Sequence, residues 1–264
     1  MADKVTTQAT ATAPAPQPAA APPATWFIDA NTLTCALQQE TNATHGDEVY
    51  VASLKFRTKP GVAATTSVFF TGGLVDIEDV NTGETHTIPN SMGRISFPSV
   101  TRLGAAEIQA GESPEVIGTA TVLVESDLTR NAKIDKIFTE SAAEVVPILA
   151  AAAEQVAFED LLVPGALDDL IDQLVSDVNE ALDLTLGQKL GLFLSSGTDP
   201  DDQIDRKINI FVAVDDVLAP LVDAAFATAL DPGDGVGGGL RTRSYTQRFA
   251  GRGAKYDVAF SVAK

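Results

Sequence analysis

Carboxylates are the residues of this chain whose types and spacing point to chemistry. Three groups of them fall at the ends of predicted strands: Glu40, Asp47 and Glu48 before Val49-Tyr50, Glu125 and Asp127 after Thr119–Val124, and Asp199, Asp201, Asp202 and Asp205 before Lys207–Val214. Ca2+ takes six to eight oxygen ligands at about 2.3–2.6 Å, and paired carboxylates on adjacent loop tips supply them without distorting a sheet. The candidate metal ligands are therefore Glu40, Asp47, Glu125, Asp127, Asp202 and Asp205, with Asp135 an alternative beside Asp127. Without a cation, such carboxylates repel one another and loosen their loops. A second reading stands beside this one: acidic residues collect at strand ends because turns favour them.

Other reactive groups are sparse. His45 and His86 stand in no zinc-ligand spacing, and Cys35 sits among apolar strand neighbours, as a buried small hydrophobe does. No Gly-x-Ser-x-Gly, phosphate loop or dinucleotide fingerprint occurs, and the glycine-rich Asp231–Gly239 carries no lysine, so it is predicted to be a flexible loop. No enzymatic activity is predicted. Asn42-Ala-Thr44 fits a glycosylation acceptor. Arg241, Arg243, Arg248 and Arg252 with Lys255 form a basic C-terminal hairpin, which either pairs internally with acidic helices or docks an acidic partner.

The elements that must position these residues follow from composition and periodicity. With 264 residues, 45% of them hydrophobic, and a single cysteine, the chain can close a core without disulfides. The net charge of -18 opposes direct binding to nucleic acid or anionic membranes. Residues 138–235 hold 20 acids and 3 bases, so nearly all of the excess lies in one internal segment. Residues 1–25, with five prolines and nine alanines, have no apolar face to bury and are predicted to be a disordered tail. No transmembrane segment and no Sec signal are expected, which places the protein in the cytoplasm or on an export route without a Sec signal.

From Trp26 to Asp127 the pattern is that of strands: Thr32–Gln38, Glu48–Arg57, Thr66–Asp76, Glu84–Ile88, Arg94–Ser99 and Val116–Glu125. In the second of these, Tyr50, Ala52, Leu54 and Phe56 alternate with Val51, Ser53, Lys55 and Arg57, which predicts a half-buried antiparallel strand with one mostly polar face. The period then changes to 3.6. Ser141–Phe158 is expected to be a helix capped by Ser141, and Leu167, Leu170, Ile171, Leu174, Val175, Val178, Ala181 and Leu182 stripe a second one. A shorter helical turn is predicted at Leu186–Leu194, and the main stripe should pack on Val145, Ile148, Leu149 and Ala152 as a hairpin that can be deleted without unfolding the sheets. Lys207–Val214, a helix at Leu218–Leu230, and strands Arg241–Phe249 and Ala254–Val262 complete the chain.

The Gly46-Asp47-Glu48-Val49-Tyr50-Val51 run, Val124-Glu125-Ser126-Asp127 and Asp202-Gln203-Ile204-Asp205 resemble the acidic loops of C2-type calcium-dependent β-sandwich domains. Cys35, Glu40-Thr41, Asp47-Glu48 and Tyr50 resemble a run shared by a group of uncharacterised bacterial β-sandwich proteins, and Tyr256 to Phe260 would match the closing strand of both. The chain departs from the C2 pattern in four ways: Asp-Glu-Val-Tyr is longer than Asp-Pro-Tyr, Glu125 replaces an Asp, Asp205 stands where Gly is usual, and some 70 residues separate Asp127 from Asp199. The resemblance implies a mainly β fold, an antiparallel C2-like sandwich at 26–137 and 196–264 with an acidic helical hairpin inserted at 138–195. It also implies a non-enzymatic module that holds Ca2+ and attaches to a lipid, glycan or protein surface. The alternative is a structural or cargo protein of a bacterial macromolecular assembly, docking through its tail or acidic helices.

Overall fold

The computed structural model describes residues 22–39, 46–70, 75–125, 131–154, 202–230 and 235–264, with Asp169, Asp172, Gln173, Val175, Ser176, Glu180 and Gly233 as single positions. Residues 1–21 of the expected 1–25 tail, the Asn42 acceptor, His45, the turn at 186–194 and most of the second helical stripe lie outside the described residues, while Ala24 and Thr25 belong to a strand.

Two sheets are packed face to face. The first carries β1 (Ala24–Leu37) between β11 (Ala254–Ala263) on one side and β5 (Thr85–Thr87) with β6 (Arg94–Val100) on the other, and β10 (Arg243–Gly251) lies beyond β11. The second runs β3 (Val62–Phe70), β2 (Asp47–Lys59), β7 (Val116–Glu125), β8 (Asp202–Val212), β9 (Gly235–Gly239), with β4 (Val75–Val80) sharing the outer side of β2. All pairings are antiparallel except β8 with β9. The short helices α1 (Asn90–Gly93) and α2 (Ala105–Gln109) lie between strands, and α3 (Asn131–Glu154) and α4 (Ala219–Ala229) are longer.

The second sheet is buried on both faces. Trp26, Ile28, Leu33, Tyr256, Val258 and Phe260 of the first sheet meet Val49, Val51, Ile117, Leu123 and Phe211 of the second in the inter-sheet core. A separate core lies on its far side, where Tyr50, Leu54, Phe56, Val122 and Ile210 meet Phe138, Val145 and Leu149 of α3 and Val222 and Phe226 of α4. All ten residues of β7 are buried, as expected for a strand covered on both faces. The expectation of a half-solvated strand at 48–57 is thereby corrected. Its odd-numbered face turns inward, and buried polar side chains there bond one another, Ser53 with Thr121 at 2.9 Å and the Asn209 Nδ2 donating to Thr119 at 3.0 Å.

Helix α3 begins ten residues earlier than Ser141, because Phe138, Ala142, Val145 and Leu149 form one stripe at helical spacing. Ser141 is therefore a buried mid-helix residue and no cap. Pro147 faces solvent, where water can take the carbonyl its ring leaves unbonded. Phe138 stacks on Phe70 of β3 with centroids 5.2 Å apart. The described part of the helical segment thus covers the second sheet, and most of the expected hairpin's second half lies outside the described residues. Val175 joins the same core, while Asp169, Asp172 and Glu180 are exposed.

Three further strand boundaries differ from the sequence reading. The 66–76 strand divides into β3 and β4, which share one edge of β2. β8 starts at Asp202, because its ladder continues to the end of β7. Asp231–Gly239 ends in a parallel strand where a loop was expected. A Cβ on Gly237 would stand 2.0 Å from the Phe226 ring, so α4 approaches β9 too closely for any side chain, and glycines follow from this helix–strand packing. The basic hairpin turns at Arg252 and Gly253, both at positive φ (53° and 94°), as a two-residue hairpin requires.

Candidate functional site

The register of the second sheet brings three of the predicted ligands, Asp47, Glu125 and Asp202, to one end. Glu125 ends β7 opposite Val49 of β2 on one side and Asp202 of β8 on the other, and Asp47 is the first residue of β2. Three consecutive strands therefore place acidic residues at a common edge. Glu40 and Asp127, next to this edge in sequence, lie outside the described residues, as do the side chains of Asp202 and of the alternative Asp135.

The described carboxylates have structural partners. Asp47 is 1% exposed, and its Oδ2 accepts hydrogen bonds from the Gln39 amide at 2.7 Å and from the Tyr256 hydroxyl. Since Asp47 belongs to one sheet and Tyr256 to the other, this pair clasps the sandwich at its acidic end. Burial pushes the Tyr256 phenol above its ordinary range, and the neighbouring Asp47 adds to the effect, so the hydroxyl remains a neutral donor. Cys35, opposite Tyr256 in the β1–β11 ladder, is fully buried, and burial raises its thiol. A protonated thiol in that position packs as an apolar group.

Asp205 lies inside β8 and not in a loop preceding it. Its carboxylate pairs with Lys207 at 2.7 Å and accepts the amides of Arg206 at 2.7 Å and Ala250 at 3.0 Å. The last bond ties β8 to β10 of the other sheet. Glu125 is 1% exposed at the end of β7. Among the described residues, no three His, Cys, Asp or Glu side chains converge into a metal-holding group. Asp47 and Asp205 are thus committed to bonds that tie the strands of this end together.

The basic hairpin is also occupied internally. Arg241 and Arg243 both pair with Asp223 of α4, the latter at 3.1 Å, and Arg248 forms two bonds of 2.8 and 2.7 Å with Asp257 on the neighbouring strand. Sequence reasoning missed a different cationic feature. Lys55 and Arg57 belong to the inward face of β2 and emerge where the sandwich opens at its side, lining a cleft with Phe69 of β3 and Pro98 of β6. The available signal was their alternation with Val51 and Ser53, which shared a face that was read as solvent-facing. No helix among the described residues is long and apolar enough to cross a membrane. Comparison with protein-family models, with curated proteins and with solved structures returned no match.

Proposed function

We propose that this chain is a non-enzymatic β-sandwich binding module, C2-like in arrangement, whose acidic end takes Ca2+ and through it bridges to a lipid, glycan or protein surface. The observation that carries this reading is the β2–β7–β8 register, which sets Glu125 beside Asp202 at the edge where β2 begins with Asp47. Adjacent strand ends are a geometry in which carboxylate oxygens can share one hard cation. The residues that would hold it are Glu40, Glu125, Asp127 and Asp202, while Tyr256 orients Asp47 at the start of β2.

Calorimetric titration of the full chain with Ca2+, paired with thermal melts in Ca2+ and in chelator, tests the proposal. At 100-fold excess over Kd, native-state binding adds about 2.7 kcal/mol, which for a domain of this size raises Tm by roughly 5–10 °C. Asp202→Asn with Asp127→Asn should abolish that rise. No heat and no shift at millimolar Ca2+ would refute it.

A second reading has its own observation: Asp169, Asp172 and Glu180 are exposed while Val175 packs into the core, so an acidic face is presented outward. A structural or cargo protein of a bacterial assembly would dock through such a face. Its test is the native size in lysate compared with the isolated chain, before and after removal of residues 1–21. An unchanged monomer in every case rejects it.

A further inference from the structure

A cleft of about 140 Å3 opens at the side of the sandwich between the edge strands β3 and β6. Lys55 and Arg57 of β2 stand opposite Phe69 and Ser67 of β3, and the facing wall is Ser96 and Pro98 of β6. Arg57 is engaged behind the cleft, by Glu115 and by the Pro98 carbonyl at 3.1 Å, and so holds β6 against β2. Ser99, next to Pro98, adopts φ 57°, a left-handed conformation that a non-glycine residue takes only where its surroundings enforce it.

Two groups in this cleft are available to a ligand. Lys55 pairs with no carboxylate among the described residues, and its Nζ stands 5.4 Å from the centroid of the Phe69 ring. Phe69 is 54% exposed, the most exposed aromatic among the described residues. No acid lines the cleft, although the chain carries a net charge of -18. An ammonium over one face of an aromatic ring that is still 54% exposed, with Ser67 and Ser96 lining the same cleft, matches an anion joined to a planar ring. The volume is well below the about 300 Å3 at which drug-sized sites begin, so the occupant has one ring and a short acidic arm.

We propose that the β3–β6 cleft is a binding site for a small aromatic carboxylate, whose carboxylate meets Lys55 and the serine hydroxyls while its ring lies on Phe69 and Pro98. The site is independent of the acidic end and of its cation. The test is a titration of the 15N-labelled full chain with sodium benzoate, benzyl alcohol and sodium acetate at low salt. Benzoate should move the amide signals of Lys55, Phe69 and Ser96 and bind at least about fivefold more tightly than either half-ligand. Lys55→Met should bring benzoate down to the level of benzyl alcohol and leave benzyl alcohol unchanged, whereas Phe69→Ala should weaken both. Should either variant melt abnormally, the wild type supplies the same contrast, since raising NaCl from about 20 to about 300 mM should weaken benzoate and spare benzyl alcohol. Equal affinities for benzoate and benzyl alcohol, signal changes confined to another surface, or indifference of benzoate to both Lys55→Met and salt would overturn the proposal.

Discussion

Tyr256→Phe isolates the clasp between the sheets. The substitution removes one hydroxyl from a fully buried ring and changes nothing else in the shape of the core. Asp47, 1% exposed, then keeps the Gln39 amide at 2.7 Å and loses its donor from the opposite sheet. A hydrogen bond to a charged acceptor contributes about 1.5–3 kcal/mol, and a buried carboxylate with one donor fewer adds to the loss. For a domain of this size, Tm should fall by roughly 3–10 °C. Asp47→Asn should cost less, because the amide oxygen still accepts from Tyr256. The assay is urea unfolding at pH 7 followed by tryptophan fluorescence, with Trp26 in the inter-sheet core as reporter. A loss below about 0.5 kcal/mol for Tyr256→Phe, or a larger loss for Asp47→Asn than for Tyr256→Phe, would refute the clasp. The pair also separates frame from ligand: if Asp47 is frame, Asp47→Asn leaves the Ca2+-dependent rise in Tm intact, and if it is a ligand the rise disappears.

Three further outcomes are expected. Burial raises the phenols of Tyr245 and Tyr256 above the ordinary value of 10.0, so their contribution to stability is complete below about pH 10 and is lost as pH rises further. The loss should approach 1.4 kcal/mol per pH unit for each group, and Tyr245→Phe should flatten the alkaline limb of a stability–pH curve; an unchanged limb contradicts this. Replacing 138–195 with a Gly/Ser linker uncovers the core beneath Phe138, Val145 and Leu149, a loss of roughly 5–9 kcal/mol that rivals the whole net stability of a domain. An aggregated product is expected, and a β-type circular dichroism spectrum with a cooperative melt would show that the second sheet does not need α3. Gly237→Ala places a Cβ 2.0 Å from the Phe226 ring and should cost at least 1–3 kcal/mol by chemical unfolding, with the excess partly relieved in a Gly237→Ala/Phe226→Ala double variant; a cost within about 0.5 kcal/mol would mean that α4 is not seated on β9.

Strands whose two faces differ were legible in the sequence, and so was β7, whose bounds coincide with the reading because Glu125 and Val116 are flanked by turn residues. What could not be read was which layer each face would meet. Val51, Ser53, Lys55 and Arg57 alternate like a solvent face, yet Ser53 and Thr121 satisfy each other inside the sandwich, and pairings between residues 68 positions apart leave no local trace. The glycines of β9 have the composition of a loop, and only the nearby Phe226 ring explains them as a strand. At the candidate site, the acidic residues at the strand ends were visible as sequence. Their division into frame and ligands depended on Tyr256 and Ala250, which reach Asp47 and Asp205 from other strands, and on Lys207, two residues from Asp205 along β8.

The pairing of β1 with β11 has a consequence for how the chain is made. Asn31 donates to Ser261 at 3.0 Å across a sequence separation of 230 residues, and Phe27 stands opposite Ala263. As the polypeptide leaves the ribosome, β1 emerges before every other described strand of the two sheets, and one whole side of it has no neighbour until β11 is synthesised. Closing so long a loop slows folding, and the waiting edge is a template for pairing with another chain. Ribosome pauses or C-terminal truncations that delay β11 should therefore expose the growing chain to aggregation or chaperone capture, even where the finished domain is stable.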